Sequence, residues 1–206
     1  MTIEPLFVLE MIGTAVFAIS GALAASRANM DIFGFSVLAL MPAVGGGTLR
    51  DIVLGRFPVF WVENNSYVAV AVMAAIGVYF FADRPGWRLT LLVWMDAAGL
   101  ALFAVLGTEI ALDAGVTTLI AIMMGVTTAV IGGMIRDIIC NEIPLVLSGE
   151  VYATAAFVAS IAYILAVRAD APESIALIIG VAAGFAVRAA GIVFHIKFPR
   201  VNLRDE

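Results

Sequence analysis

An all-α polytopic membrane protein is the fold class this sequence predicts: seven transmembrane helices, two inverted three-helix repeats plus a seventh helix. Three observations predict it. Hydrophobic residues make up 63% of the chain and charged ones 13%, and a mean hydropathy of +1.09 exceeds what the surface of a soluble domain tolerates. Several apolar segments approach the roughly 20 residues that a spanning helix needs. The stretch Val44-Gly45-Gly46-Gly47-Thr48-Leu49-Arg50-Asp51 is answered 86 residues later by Val130-Ile131-Gly132-Gly133-Met134-Ile135-Arg136-Asp137.

The apolar segments run approximately 6–26, 32–54, 67–82, 89–107, 117–140, 151–167 and 175–195. The third and sixth are short for a full span. Polar residues gather between segments: Arg27 to Asp31, Glu63 to Ser66, Asp83 to Arg88, Glu109 to Gly115, Ser148 to Glu150 and Arg168 to Ser174. Pro85-Gly86 marks the central connection as a turn. The first segment resembles a signal peptide at Ala22-Leu23-Ala24, but Glu4 and Glu10 are acidic and no Lys or Arg precedes it. It reads as a retained helix. With no long linker, residues 1–206 read as a single membrane domain, with repeat one at about 6–82, repeat two at about 89–168 and an extra helix at about 175–195.

An offset of 86 aligns the halves without a gap from Glu10 to about Ala82. Gly13, Phe17, Ala18 and Gly21 fall on Gly99, Phe103, Ala104 and Gly107. Gly46, Gly47, Arg50, Asp51, Ile52 and Pro58 fall on Gly132, Gly133, Arg136, Asp137, Ile138 and Pro144. Glu10 falls on Asp96. Three spans per repeat is an odd number, so consecutive copies enter the membrane in opposite directions. Counting positive charges at span ends sets the orientation. Arg27, Arg84, Arg88, Lys197, Arg200 and Arg204 lie on one side, Arg56 and Arg168 on the other. That places the N-terminus outside and the C-terminus in the cytoplasm.

Two segments carry features that hydrocarbon penalises. In the second, Pro42 removes a backbone donor and Gly45, Gly46 and Gly47 weaken the helix. In the fifth, Thr127-Thr128 precedes Gly132 and Gly133, and threonine hydroxyls can bond back to the main chain. Both helices are expected to be kinked or unwound there. A break leaves free carbonyls that suit a cation and free amides that suit an anion. The alternative is that the glycines serve only close helix packing.

Arg50, Asp51, Arg136 and Asp137 each cost about 2.5–3.5 kcal/mol if placed mid-membrane. Neighbours at i and i+1 do not face each other on a helix. Crossed pairs are therefore expected, Arg50 with Asp137 and Arg136 with Asp51, either lining a pathway or bracing the repeats. Glu10 and Asp96 then remain as unmatched acids, Asp96 lying about ten ångströms in by the 1.5 Å rise. They are expected to bias a pore towards cations.

Other classes are excluded or disfavoured. The net charge is −5 and lysine occurs only at Lys197, so no basic stripe for nucleic acid exists. One cysteine, Cys140, permits no internal disulfide, and no Cys/His cluster suggests a metal. His195 ends the last apolar segment and reads as an interface residue. Without a nucleophile–base or metal constellation, an enzyme is not expected, and no cofactor is implied.

The seven spans, the inverted repeats and the doubled Gly-Gly-x-x-Arg-Asp together resemble the prokaryotic trimeric intracellular cation (TRIC) channels over nearly the whole chain. That resemblance implies a homotrimer in which each subunit has its own pore, lined by both repeats and kinked at the glycines of helices two and five. It implies passive counter-ion flow of K⁺ and Na⁺ in a bacterial inner membrane, among membrane lipids. Carried over by position, Gly45 to Gly47 and Gly132-Gly133 are the kinks, and polar pore residues lie near Arg50, Asp51, Arg136 and Asp137. The Lys-Glu-Val motif of the animal members is absent, so lipid and calcium regulation are not implied. Bacterial relatives have also been grouped as glycine transporters. Paired carbonyl and amide helix ends would suit a zwitterion, and that alternative stands beside the channel.

Overall fold

The computed structural model describes residues 5–81 and 87–198. Arg84, Pro85-Gly86, Arg200 and Arg204, which entered the orientation and turn arguments, lie outside the described residues. Among the described residues eight α-helices form in order: α1 (Pro5–Arg27), α2 (Ile32–Val53), α3 (Phe60–Glu63), α4 (Ser66–Phe81), α5 (Arg88–Asp113), α6 (Thr118–Ile139), α7 (Ala153–Arg168) and α8 (Glu173–Val193). A 3₁₀ turn spans Leu145–Leu147. Five helices, α1, α2, α5, α6 and α8, are long and apolar enough to cross a membrane, and the apolar α4 and α7 are shorter.

The C-terminal ends of α2 and α6 repeat between the halves, while their starts differ. Asp31 starts α2 by accepting from the Gly34 N–H at 2.8 Å. α2 stops where Gly55 turns to φ +67°, and α6 stops where Asn141 turns to φ +56°. The next amide then reaches back five residues in each case, Arg56 to Asp51 at 2.8 Å and Glu142 to Asp137 at 2.9 Å. This left-handed closure satisfies carbonyls that the helix would otherwise leave bare.

α5 is the most enclosed element and packs on α1, α6, α7 and α8. Its crossing with α1 brings the matched faces of the two halves together. Phe17 stacks on Phe103 with centroids 5.2 Å apart. A Cβ on Gly99 would lie 2.3 Å from the Phe17 ring, and one on Gly13 would lie 3.3 Å from the Phe103 ring. These contacts leave the shared face of Gly13, Phe17, Gly99 and Phe103 packed.

The crossing of α2 with α6 follows the same rule. A Cβ on Gly46 would lie 1.9 Å from the Thr128 carbonyl oxygen, and one on Gly132 would lie 2.4 Å from that of Pro42. Residue numbers rise on one helix as they fall on the other, so the two run antiparallel. Pro42 leaves the Leu38 carbonyl without its helical donor, and Gly21 of α1 packs there, its ideal Cβ 1.8 Å from the Leu38 oxygen.

Three sequence expectations change. α2 and α6 run as unbroken helices through Pro42, Gly45–Gly47 and Gly132-Gly133, so the unwound ends with free carbonyls and amides are not formed. The glycines instead permit close packing, which satisfies the backbone more cheaply in lipid than opening it. α5 extends to Asp113 rather than ending near 107, and buries Glu109 that read as a turn. The ungapped alignment also fails beyond the prolines, for reasons given by the contacts of Asp51 and Asp137 below.

Candidate functional site

The intramembrane arginines pair with their own neighbours. Arg50 donates from Nε to Asp51 Oδ1 at 2.9 Å, with Nη2 2.8 Å from the same oxygen. Arg136 does the same to Asp137 Oδ1, through Nε at 2.9 Å and Nη2 at 2.8 Å. The expected crossed pairs, Arg50 with Asp137 and Arg136 with Asp51, do not form. Antiparallel crossing at Gly46 and Thr128 carries Arg50 and Asp137 towards opposite ends, about 20 Å apart along the axis at 1.5 Å per residue. The neighbour rule fails because a long guanidinium arm can fold back in the last helical turn.

Each aspartate uses its second oxygen to hold the chain that follows. Asp51 Oδ2 accepts from the Phe60 N–H at 3.0 Å, at the start of α3. Asp137 Oδ2 accepts from the Leu145 N–H at 3.0 Å, at the start of the 3₁₀ turn. Phe60 and Leu145 are 85 positions apart, as are Tyr67 and Tyr152, which bind Glu10 and Asp96 respectively. A one-residue deletion after Pro144 accounts for both shifts.

Beyond this shared plan the two clusters differ. Arg136 also donates from Nη1 to Asp96 Oδ1 at 2.7 Å and to Ser20 Oγ. Tyr152 donates its hydroxyl to the same Asp96 oxygen at 3.3 Å. Asp96, Arg136 and Tyr152 are all essentially inaccessible, at 0%, 1% and 1% exposure. Asp96 is therefore matched, contrary to its expected role as a free acid. One turn away, Leu23, Ala24 and Leu92 form a small apolar cluster with Cys140 packed against it. Among the described residues Arg50 makes no hydrogen bond to a second acid. Its guanidinium lies 5.6 Å from the Phe60 ring centre, and among the described hydrogen bonds it reaches only Asp51.

Glu10 is half-buried and accepts from the Tyr67 hydroxyl. It lies on the wall of a cavity of about 590 Å³ with Arg56, Glu63, Tyr67 and Asp113. Residues from the start of α1, the end of α2, the start of α4 and the end of α5 all meet there, so the cavity opens at one end of the bundle. Its charged lining is three carboxylates to one guanidinium.

Sequence reasoning passed over several contributors. Tyr67 and Tyr152 are readable as a repeated pair only once a gap is allowed. Ser20 carries no sequence signal of its role. Arg188, a charge within the apolar segment 175–195, bears the same intramembrane mark as Arg50 but lacks a counterpart in the other half. Among the described residues no group of His, Cys, Asp and Glu could hold a metal ion.

Comparison with known proteins adds an independent line. A family model described as glycine transporter matches residues 7–83 and again residues 93–168. The second match starts 86 positions after the first and is one residue shorter. A UPF0126 membrane protein of Vibrio cholerae is 43% identical over 201 residues, covering 96% of this chain and 83% of that protein. The UPF0126 inner membrane protein YadS of Escherichia coli K12 is 40% identical over 202 residues, covering 96% of each. Among solved structures, a TRIC trimeric intracellular cation channel orthologue from Rhodobacter sphaeroides is 46% identical and superposes with a TM-score of 0.89, covering 93% of this chain and 98% of that one. A second structure, described under conductance through TRIC cation channels, is 32% identical with a TM-score of 0.86 over 98% of this chain and 100% of that one.

Proposed function

This chain belongs to the trimeric intracellular cation (TRIC) channel family, and we propose that it is a monovalent-cation channel of the bacterial inner membrane. In this reading K⁺ and Na⁺ pass through a pore within each subunit of a homotrimer, with the N-terminus outside. The two halves form inverted repeats about a two-fold in the membrane plane, and α8 is added to them. The matched contacts of Phe17 with Phe103, and of Gly46 and Gly132 across α2 and α6, support that arrangement. In this reading Pro42 bends α2, which stays helical through it.

The observation that carries the reading is the acidic cavity of about 590 Å³ with Glu10 in its wall. A low-dielectric cleft lined by one sign of charge concentrates counter-ions, and Glu10, Glu63 and Asp113 outnumber Arg56 there. In this reading the path from the cavity follows the α2–α6 crossing to Asp96 and Arg136, and their pairing, backed by Leu23, Ala24 and Leu92, bars it. Conduction requires Arg136 to release Asp96 while Asp137 retains it. A retained partner keeps the guanidinium compensated throughout, which lowers the cost of the swing. Exposed apolar side chains such as Phe33, Met73, Phe80 and Ile178 face lipid or the neighbouring subunits.

The glycine-transporter alternative drew physical support from helix breaks presenting carbonyls and amides to a zwitterion, and from inverted repeats, which suit alternating access. Unbroken α2 and α6 remove the first of these. Liposomes loaded with KCl and holding the purified protein test the choice. A channel dissipates K⁺ and Na⁺ gradients without glycine and without saturation at millimolar cation; gradients that persist while glycine is taken up saturably contradict the reading.

A further inference from the structure

α8 stands outside the matched halves, yet it delivers a buried cation to the Asp96 end. Arg188 is 1% exposed. Its Nη1 donates to Glu150 Oε2 at 2.9 Å and to the Val151 carbonyl at 3.1 Å. Among the described residues Nε and Nη2 have no hydrogen-bond partner. The guanidinium carbon instead lies 5.0 Å from the centre of the Tyr152 ring. Tyr152 in turn donates to Asp96 Oδ1, the oxygen that Arg136 holds at 2.7 Å.

A desolvated arginine is expensive, and among the described residues Glu150, whose side chain is 31% exposed, is its one acidic partner. An apolar residue would fill the space with less cost. The guanidinium supplies something an apolar residue cannot. A cation against the face of a phenol draws electron density from the ring and strengthens the hydroxyl as a donor, and low local dielectric magnifies the effect.

The other half provides the contrast. Tyr67, the counterpart of Tyr152, meets the ring edges of Phe7 and Phe60, with centroids 6.3 and 4.7 Å away. Among the described residues no cation lies over its ring. Tyr67 binds Glu10 beside an open cavity, whereas Tyr152 binds an acid sealed from solvent. The one tyrosine with an arginine on its face is the one at the closed end.

We propose that Arg188 is a positioning residue for the pore: through Tyr152 it holds Asp96 in its pairing with Arg136 and so favours the closed pathway. This rests on the channel reading above. The test is single-channel recording in K⁺ of the full-length wild type, R188M/E150Q, Y152F and the triple variant R188M/E150Q/Y152F. Pairing R188M with E150Q removes both charges, so neither is left buried alone. R188M/E150Q raises the open-to-closed ratio about three- to tenfold, with unitary conductance unchanged. The triple variant behaves as Y152F, because the effect passes through that hydroxyl. R188K, which keeps the charge but loses the flat stack, gives a rise of about twofold and carries the test if R188M/E150Q fails to fold. A folded R188M/E150Q with wild-type opening, an effect that adds fully to that of Y152F, or an R188K indistinguishable from wild type each overturns the proposal. A wild type that passes no K⁺ overturns the channel reading instead.

Discussion

Arg136 donates to Asp96 across 2.7 Å, tying α6 to α5, whereas Arg50, its counterpart, makes its described hydrogen bonds to Asp51 alone. That contact, with the Arg136 bond to Ser20, separates two clusters that otherwise share a plan. Both arginines grip the next residue, and both aspartates hold the first amide of the short helix that follows. Only at one end does a third charge close the arrangement. The other end keeps Glu10 in the wall of an open cavity. The asymmetry gives the molecule one acid in a cavity wall and one buried in an ion pair, and the following outcomes depend on it.

Removing the closing acid should loosen the sealed end. Asp96→Asn leaves Arg136 with Asp137, so it costs about 1–3 kcal/mol of stability rather than the roughly 3–5 kcal/mol of an orphaned buried charge. The melting temperature of the detergent-solubilised protein falls, and open probability in bilayer recordings rises. An Asp96→Asn protein that opens no more than wild type would show that the pair does not bar the path.

The local Arg-Asp pairing makes a separate prediction. Arg50→Glu and Asp137→Arg each abolish a pair, and combining them restores neither, because the two sites lie about 20 Å apart. The double reversal therefore gives a yield of monodisperse protein no better than the worse single variant. Rescue would place the two residues in contact.

At the α2–α6 crossing the prediction concerns packing. A methyl at Gly46 must displace the Thr128 backbone, 1.9 Å from an ideal Cβ. Gly46→Ala destabilises by about 1–3 kcal/mol, read as a lower melting temperature. Gly77 in α4 has nothing within 4 Å, so Gly77→Ala leaves melting unchanged or slightly raised, alanine being the better helix former. Equal effects at the two positions would mean that the crossing is not tight.

On the proposed reading, Glu10 acts at the cavity end. Glu10→Gln lowers K⁺ conductance about twofold in dilute salt, and the difference fades in 1 M KCl as the screening length shrinks to about 3 Å. Its cation-over-anion permeability also falls, measured as a shift of reversal potential under a KCl gradient. Conductance independent of both substitution and salt would remove Glu10 from the path.

Much of the fold was legible because lipid makes hydropathy a strict constraint. The seven segments correspond to α1, α2 and α4 to α8, most ends agreeing within two residues. The exception was α5, where Glu109 and Asp113 read as a turn although the helix carries them to its end. Polar residues mark the exit from a span only when they are solvated, and Glu109 is 6% exposed. The candidate site was legible as residue types but not as partners. Arg50, Asp51, Arg136, Asp137, Glu10 and Asp96 announced themselves as charges among apolar neighbours. Which of them touch depends on the antiparallel crossing, and that is fixed by Gly46, Thr128, Pro42 and Gly132 in three dimensions. The expected helix breaks failed for a related reason. Glycine lowers helix propensity, but in a bundle it also admits a neighbouring backbone, and the packing term prevailed.

Single-channel recording of the purified protein in a planar bilayer under an asymmetric KCl gradient tests the central claim most directly. Discrete unitary currents that reverse near the K⁺ equilibrium potential, and persist when Na⁺ replaces K⁺, are the predicted result. A membrane that stays silent with wild type and with Asp96→Asn, from protein that takes up glycine saturably in liposomes, would contradict it.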